Sequence, residues 1–155
     1  MTTIRLIALA LFLPLVPLLP AGHASVLGKE SGQFVWVEPD KGGANKVYLY
    51  MFWSHNCKHC HYAMPFLDDI KSRYPWIQVR LSEVTEDPRN METYLAMAEQ
   101  VGEQAFAGAV PAFFFCGQMY TGYNDAKTTG KWILDSLQQC RINPPESDVR
   151  IVGMR

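Results

Sequence analysis

The sequence predicts an α/β domain with a mixed central sheet flanked by helices on both faces. Three observations carry that expectation. Val47–Trp53 is apolar at nearly every position, as in a strand covered on both sides rather than one with a wet face. Helical patterns alternate with further strand-like runs in the order β-α-β-α-β-β-α, which layers helices on a sheet. Two late apolar runs separated by Gly117-Gln118 read as a hairpin, adding antiparallel pairing to a parallel core.

The elements follow in order. Phe34–Val37 reads as a short strand, and Glu38-Pro39-Asp40-Lys41-Gly42-Gly43 as a turn cluster. After Val47–Trp53, Asn56 is the expected N-cap of a helix from Cys57 to about Arg73, with Pro75 just beyond its end. Pro65 should kink that helix, because it lacks the N–H for the internal ladder. Trp76–Val84 is a second strand, and Glu86-Asp87-Pro88 turns into a helix from about Arg89 to Gln104. Ala112–Cys116 and Met119–Tyr123 form the hairpin. Trp132, Ile133, Leu137 and Cys140 recur at helical spacing in a closing helix, Thr129–Arg141.

The chain has 155 residues and a formal charge of −1, with 48% hydrophobic residues. No charge excess points to nucleic acid. Residues 1–24 read as an export signal: Arg5 gives a positive start, Leu6–Leu19 is apolar, and Gly22-His23-Ala24 supplies small residues before a cut. A spanning helix needs about 20 apolar residues, and Pro14 and Pro17 interrupt this shorter run. The expected location is therefore periplasmic or otherwise exported, with no stable membrane insertion of the mature chain. Residues 25–142 form the domain, and 143–155, with Pro144-Pro145, a flexible tail.

The chemistry concentrates in Cys57-Lys58-His59-Cys60. Two thiols at a helix start can pass two electrons by closing and opening a disulfide, and the helix N-terminus favours the thiolate this requires. Cys57, at the first helical position, is the expected nucleophile. Cys60, one turn on and more buried, is the expected resolving thiol. Lys58 and, if protonated, His59 would add positive charge beside the thiolate. A purely structural bridge would close a very short loop and remove little unfolded-state entropy.

Two other readings stay open. Cys57-x-x-Cys60-His61 also spells the attachment string of a c-type haem, although the strand-rich pattern fits such a protein badly. The histidines left after signal removal, His55, His59 and His61, surround the pair, and thiolates with imidazoles suit copper or zinc in a metal carrier.

The order of elements with these motifs resembles the thioredoxin fold over roughly residues 33–141. Phe52-Trp53-Ser54-x-x-Cys57-x-x-Cys60 looks like that family's active-site strand and loop. Pro65 falls where its helix-kinking proline stands, Val110-Pro111 matches its cis-proline, and Gly122 a groove-lining glycine. The resemblance implies an exported thiol–disulfide oxidoreductase without a cofactor or metal. It would act on cysteine-containing proteins and be reset by a membrane redox partner. A substrate strand would pair with the Val110 backbone beside Cys57, with Trp53, Ala109 and Gly122 as a shallow apolar rim around Pro111.

The chain also departs from the pattern. Met51 replaces the buried acid that thioredoxins carry two residues before the tryptophan, and Lys58-His59 replaces Gly-Pro. Cys-x-His-Cys is similar to the motif of protein disulfide isomerase and of bacterial periplasmic disulfide oxidases, which leans the reading toward oxidation. Cys116 and Cys140 would approach one end of such a fold, either as a structural disulfide or as two buried thiols.

Overall fold

The computed structural model describes residues 34–42 and 44–145. The export signal over 1–24 and most of the tail lie outside the described residues. Strands β1 (Val37–Pro39) and β2 (Asn45–Trp53) form an antiparallel hairpin in the register Val37↔Val47. Strand β3 (Ile77–Glu83) runs parallel to β2 along its length, from Val47↔Ile77 to Trp53↔Glu83. The other edge of β2 is shared. Its start pairs with β1 and its end with β4 (Ala112–Phe115), antiparallel, through Tyr50↔Phe114 and Phe52↔Ala112. Strand β5 (Gln118–Thr121) then pairs with β4. The sheet is mixed, as the sequence indicates.

Helices α1 (Lys58–Arg73), α2 (Pro88–Gln100) and α3 (Lys131–Ile142) cover both faces. Strand alternation explains which side chain meets which helix. On one face Phe52 and Phe114 pack on Tyr94 of α2, with ring centroids 5.0 and 5.5 Å away. On the other, Phe113 meets Tyr123, which meets Phe66 of α1. Phe115 and Tyr120 meet Trp132 of α3 on that same face. None of the described helices is long and apolar enough to cross a membrane.

Several boundaries differ from expectation for local reasons. The first strand lies at Val37–Pro39 rather than Phe34–Val37, because Glu38 pairs opposite Lys46 and accepts a hydrogen bond from Tyr48. Pro39 is tolerated at the end of a short edge strand. The Asp40 N–H donates to the Ala44 carbonyl between the two strands. Helix α2 starts at Pro88, capped by the Asp87 carboxylate on the Arg89 N–H. It stops at Gln100, short of Gln104, because Gly102 turns left-handed at φ 77° and the Glu103 N–H closes back on Ala98. A single 3₁₀ turn, Gln104–Phe106, follows.

The hairpin turn is Cys116-Gly117, not Gly117-Gln118. Both residues have positive φ, 55° and 73°, which the twist of a two-residue hairpin demands. The closing helix is entered through a π-helical turn, Ala126–Gly130, rather than directly at Thr129. There the Asp125 carboxylate accepts the N–H groups of Lys127 and Thr128. Those bonds hold its pKa below the ordinary value. Helix α1 runs from Lys58 to Arg73 with Pro65 inside it and exposed.

Candidate active site

The parallel pairing of β2 with β3 and the antiparallel pairing with β4 deliver Trp53 to one end of the sheet. The chain turns there through Ser54–Asn56 into α1. Ser54 is buried, and its carbonyl accepts the Cys57 N–H at 3.0 Å. Cys57, not Asn56, is the N-cap: its backbone is extended at φ −95°, ψ 103°. The Asn56 N–H instead faces the Ser54 hydroxyl. Cys57 therefore precedes the first helical position, and its sulfur takes the place an oxygen would normally hold. Cys57 Sγ accepts the Cys60 N–H at 3.1 Å.

The two sulfurs are joined in a disulfide with Cα atoms 5.2 Å apart. Cys57 is half-buried, whereas Cys60 is sealed in the core. Only one sulfur is open to an incoming thiolate. A donor N–H and the positive end of α1 both act on that same sulfur, so electron density left on it after reduction is stabilised.

The Val110–Pro111 bond is cis. Because Phe52 pairs with Ala112, Pro111 falls opposite Trp53 at the next step, at the end of the sheet where Cys57 lies. The Gly122 N–H donates to the Pro111 carbonyl at 2.8 Å, with Gly122 at φ 90°, a conformation that favours glycine. The Tyr94 hydroxyl donates to the Ala109 carbonyl at 2.7 Å. Burial holds that phenol above its ordinary pKa despite a backbone hydrogen bond at Gly108 that opposes the shift. Trp53, Ala109, Val110, Pro111 and Gly122 thus gather at one end of the sheet. Ala109 is exposed, Trp53, Val110 and Gly122 are half-buried, and Pro111 is buried.

The two residues between the cysteines, Lys58 and His59, are exposed. Lys58 lies 5.6 Å from the centre of the Tyr62 ring. His59 Nδ1–H donates to the Tyr123 carbonyl at 2.9 Å; the carbonyl carries no proton, so the ring nitrogen must. Met51 is fully buried between Leu81 and Phe113 in the sheet, leaving no acid at that position.

Two contributors escaped the sequence reading, the Tyr123 carbonyl that receives His59 and the Glu83 carboxylate, while Ser54, quoted there only within the motif, anchors the loop. Glu83, at the end of β3, accepts the N–H groups of Thr85, Glu86 and His55. Partial burial opposes its ionisation, but the Thr85 hydroxyl and those three N–H groups outweigh it and hold its pKa below the ordinary value. A carboxylate followed by Val84-Thr85-Glu86 at a strand end was the available signal.

His55 and His61 also have partners. His55 Nε2 is 3.0 Å from Glu86, and His61 Nε2–H donates to the His55 carbonyl at 2.8 Å. Among the described residues no three His, Cys, Asp or Glu side chains converge on a metal-sized site.

Cys116 and Cys140 form a second disulfide. It lies at the opposite end of the sheet, since β4 is antiparallel to β2. Arg141 Nε donates to the Asn45 carbonyl and Asn45 Nδ2 to the Arg141 carbonyl, fixing the end of α3 at the start of β2.

No family model and no curated protein sequence matches this chain. Among solved structures it is similar to thioredoxin of Fasciola hepatica, at 14% identity and a TM-score of 0.44, over 61% of this chain and 80% of that one. It is also similar to oxidised thioredoxin O2 of Arabidopsis thaliana, at 16% identity and a TM-score of 0.40, over 61% and 74% of the two chains. The thioredoxin-like assignment rests on topology: β3-β2-β4-β5 strand order, a Cys-x-x-Cys pair opening the helix after β2, and a cis-proline before β4.

Proposed function

We propose that this protein is an exported thiol–disulfide oxidoreductase that exchanges disulfides with protein cysteines through Cys57 and Cys60, with a lean toward oxidation. One observation carries the reading: the sulfur of half-buried Cys57 accepts a helix N-terminal N–H and is bonded to the sulfur of Cys60, a residue with no exposure at all. A client thiolate attacks Cys57 Sγ, the Cys57–Cys60 bond breaks, and Cys60 leaves and takes up a proton. A second client thiolate then attacks the client sulfur of the mixed disulfide and expels Cys57 as a thiolate. The client ends oxidised by two electrons and the protein reduced by two. A stabilised Cys57 thiolate is a good leaving group, which favours this direction. Lys58 adds positive charge nearby, and His59 would add to it when protonated.

The cis Val110–Pro111 segment offers its backbone to an extended client strand, with Trp53, Ala109 and Gly122 as the rim. Two closed disulfides and the residue 1–24 pattern support an oxidising, exported setting, in which a membrane redox partner would reoxidise the pair. N-terminal sequencing of exported material should place the cut near Ser25.

The test is single-turnover oxidation of a reduced two-cysteine peptide. Cys57→Ser should fall to the uncatalysed background, and reduced Cys60→Ala offered the same peptide in its disulfide form should accumulate a mixed disulfide through Cys57, because no second thiol is left to resolve it. Mixed disulfides trapped through Cys60 in Cys57→Ser would contradict the assignment of roles.

A further inference from the structure

The geometry points to His61 as the positioning residue that keeps Cys57 seated on α1 once the disulfide opens, an inference that rests on the redox reading above. In the oxidised protein the S–S bond itself holds Cys57 against the first turn of the helix. Reduction removes that link. The Cys57 thiolate keeps its hydrogen bond from the Cys60 N–H only if the Ser54–Cys57 loop stays where it is.

His61 spans that loop. It lies one turn into α1, where its own N–H donates to the Cys57 carbonyl at 3.2 Å. Its side chain reaches back past both cysteines, and Nε2–H donates to the His55 carbonyl at 2.8 Å. The bond joins the residue two before Cys57 to the residue just after Cys60, so the nucleophile sits inside a side-chain-closed loop. A carbonyl only accepts, so Nε2 carries a proton, and the neutral Nε2–H tautomer and the imidazolium both satisfy it.

The acceptor is anchored in turn. The His55 ring meets Glu86, and the Glu86 N–H donates to Glu83 at 2.6 Å. Trp53 stands edge-on to both imidazoles, at 4.7 and 6.2 Å between ring centres. The tether therefore runs from α1 through His61 and His55 to the turn after β3. It accounts for the fifth letter of Cys-x-x-Cys-His as a side chain that holds a loop.

Reduction leaves Cys57 as a thiolate and Cys60 as a thiol, with two electrons and one proton taken from the client's thiols. Without the tether the loop swings Sγ away from the Cys60 N–H and from the helix terminus. The thiolate then loses both sources of stabilisation, Cys57 becomes a weaker acid, and the disulfide a weaker oxidant.

In reduced protein, His61→Leu should lower the acid dissociation constant of Cys57 about three- to tenfold, the loss expected for one helix-terminal charge interaction with its hydrogen bond. The equilibrium constant for oxidising glutathione should fall by a similar factor. His61→Gln, whose amide N–H can reach the same carbonyl, should return both quantities to within about twofold of the original. Unchanged values in His61→Leu, or a glutamine variant as impaired as the leucine one, would overturn the proposal. Nitrogen NMR of reduced, unmutated protein gives a readout independent of any variant: His61 must carry its proton on Nε2, and an Nδ1–H tautomer would overturn it. Unmutated protein that exchanges with no thiol would instead refute the redox reading itself.

Discussion

The two disulfides occupy opposite ends of one sheet and opposite ends of two helices. Cys57 caps the N-terminus of α1, where unsatisfied N–H groups and a partial positive charge favour sulfur as an anion. Cys140 lies in the last turn of α3, where the exposed groups are carbonyls and the partial charge is negative. Cys57–Cys60 spans a sequence separation of 3 and Cys116–Cys140 one of 24. Chain entropy gives the short ring about 2 kcal/mol and the long one about 3–4 kcal/mol of stabilisation. On the proposed reading, the same covalent bond serves exchange where an anion is welcome and the loop is short. It serves fastening where the anion is disfavoured and the loop is long.

Exchanging the losses gives the sharpest break of that comparison. Cys116→Ala with Cys140→Ala should reduce unfolding free energy by about 3–4 kcal/mol in denaturant melts, while thiol exchange at Cys57 stays near its original rate. Cys57→Ala with Cys60→Ala should do the reverse, abolishing exchange at a smaller loss of stability. Equal effects of the two pairs on exchange would erase the distinction.

How far the sequence revealed this division depends on the range of the forces involved. The apolar run Val47–Trp53 and the helical spacing of Ile133, Leu137 and Cys140 report burial directly, so strand, helix and core were legible. Cys57 and Cys60 were legible as a pair because their spacing sets their chemistry. The cap was not: Asn56 is the better cap by intrinsic preference, but the disulfide and the Ser54 carbonyl place Cys57 there. Glu83 and the Tyr123 carbonyl act on the site from β3 and beyond β5, and no local pattern links them to residue 57. The bond from His61 to His55 depends on a side-chain orientation that sequence spacing leaves free. Cys116 at positive φ, in a turn that glycine or asparagine would suit, likewise shows only in three dimensions.

A smaller effect tests the seam between the two helices. Gly130, at the entry to α3, faces Phe66 of α1: a Cβ there would lie 2.9 Å from the Phe66 ring and 3.1 Å from the Tyr123 hydroxyl. Gly130→Ala should lower stability by about 1–3 kcal/mol through overpacking, measured by thermal or denaturant unfolding of the oxidised protein. A neutral or stabilising result would show that the seam can open without loss.

The Tyr123 hydroxyl in that seam is buried without a hydrogen-bond partner. Burial, with Asp125 nearby, pushes its pKa up to about 12 from 10.0. The unfolded chain therefore releases this proton first, so the phenol's contribution to stability is complete below pH 10 and fades as pH rises toward 12. Tyr123→Phe should flatten the fall in stability over that interval and change stability at neutral pH by about 1 kcal/mol or less. Unfolding curves across the alkaline range decide this, and an unaltered slope would contradict the assignment.

The acidity of Cys57 tests the account most directly. With Cys116–Cys140 kept closed and the active pair reduced, the rate of alkylation is followed against pH, with the modified residue identified by mass. Cys57 should react first, with a pKa at least about one unit below the ordinary thiol value of ~8.5. A Cys57 pKa at or above that value, or faster modification of Cys60, would contradict it.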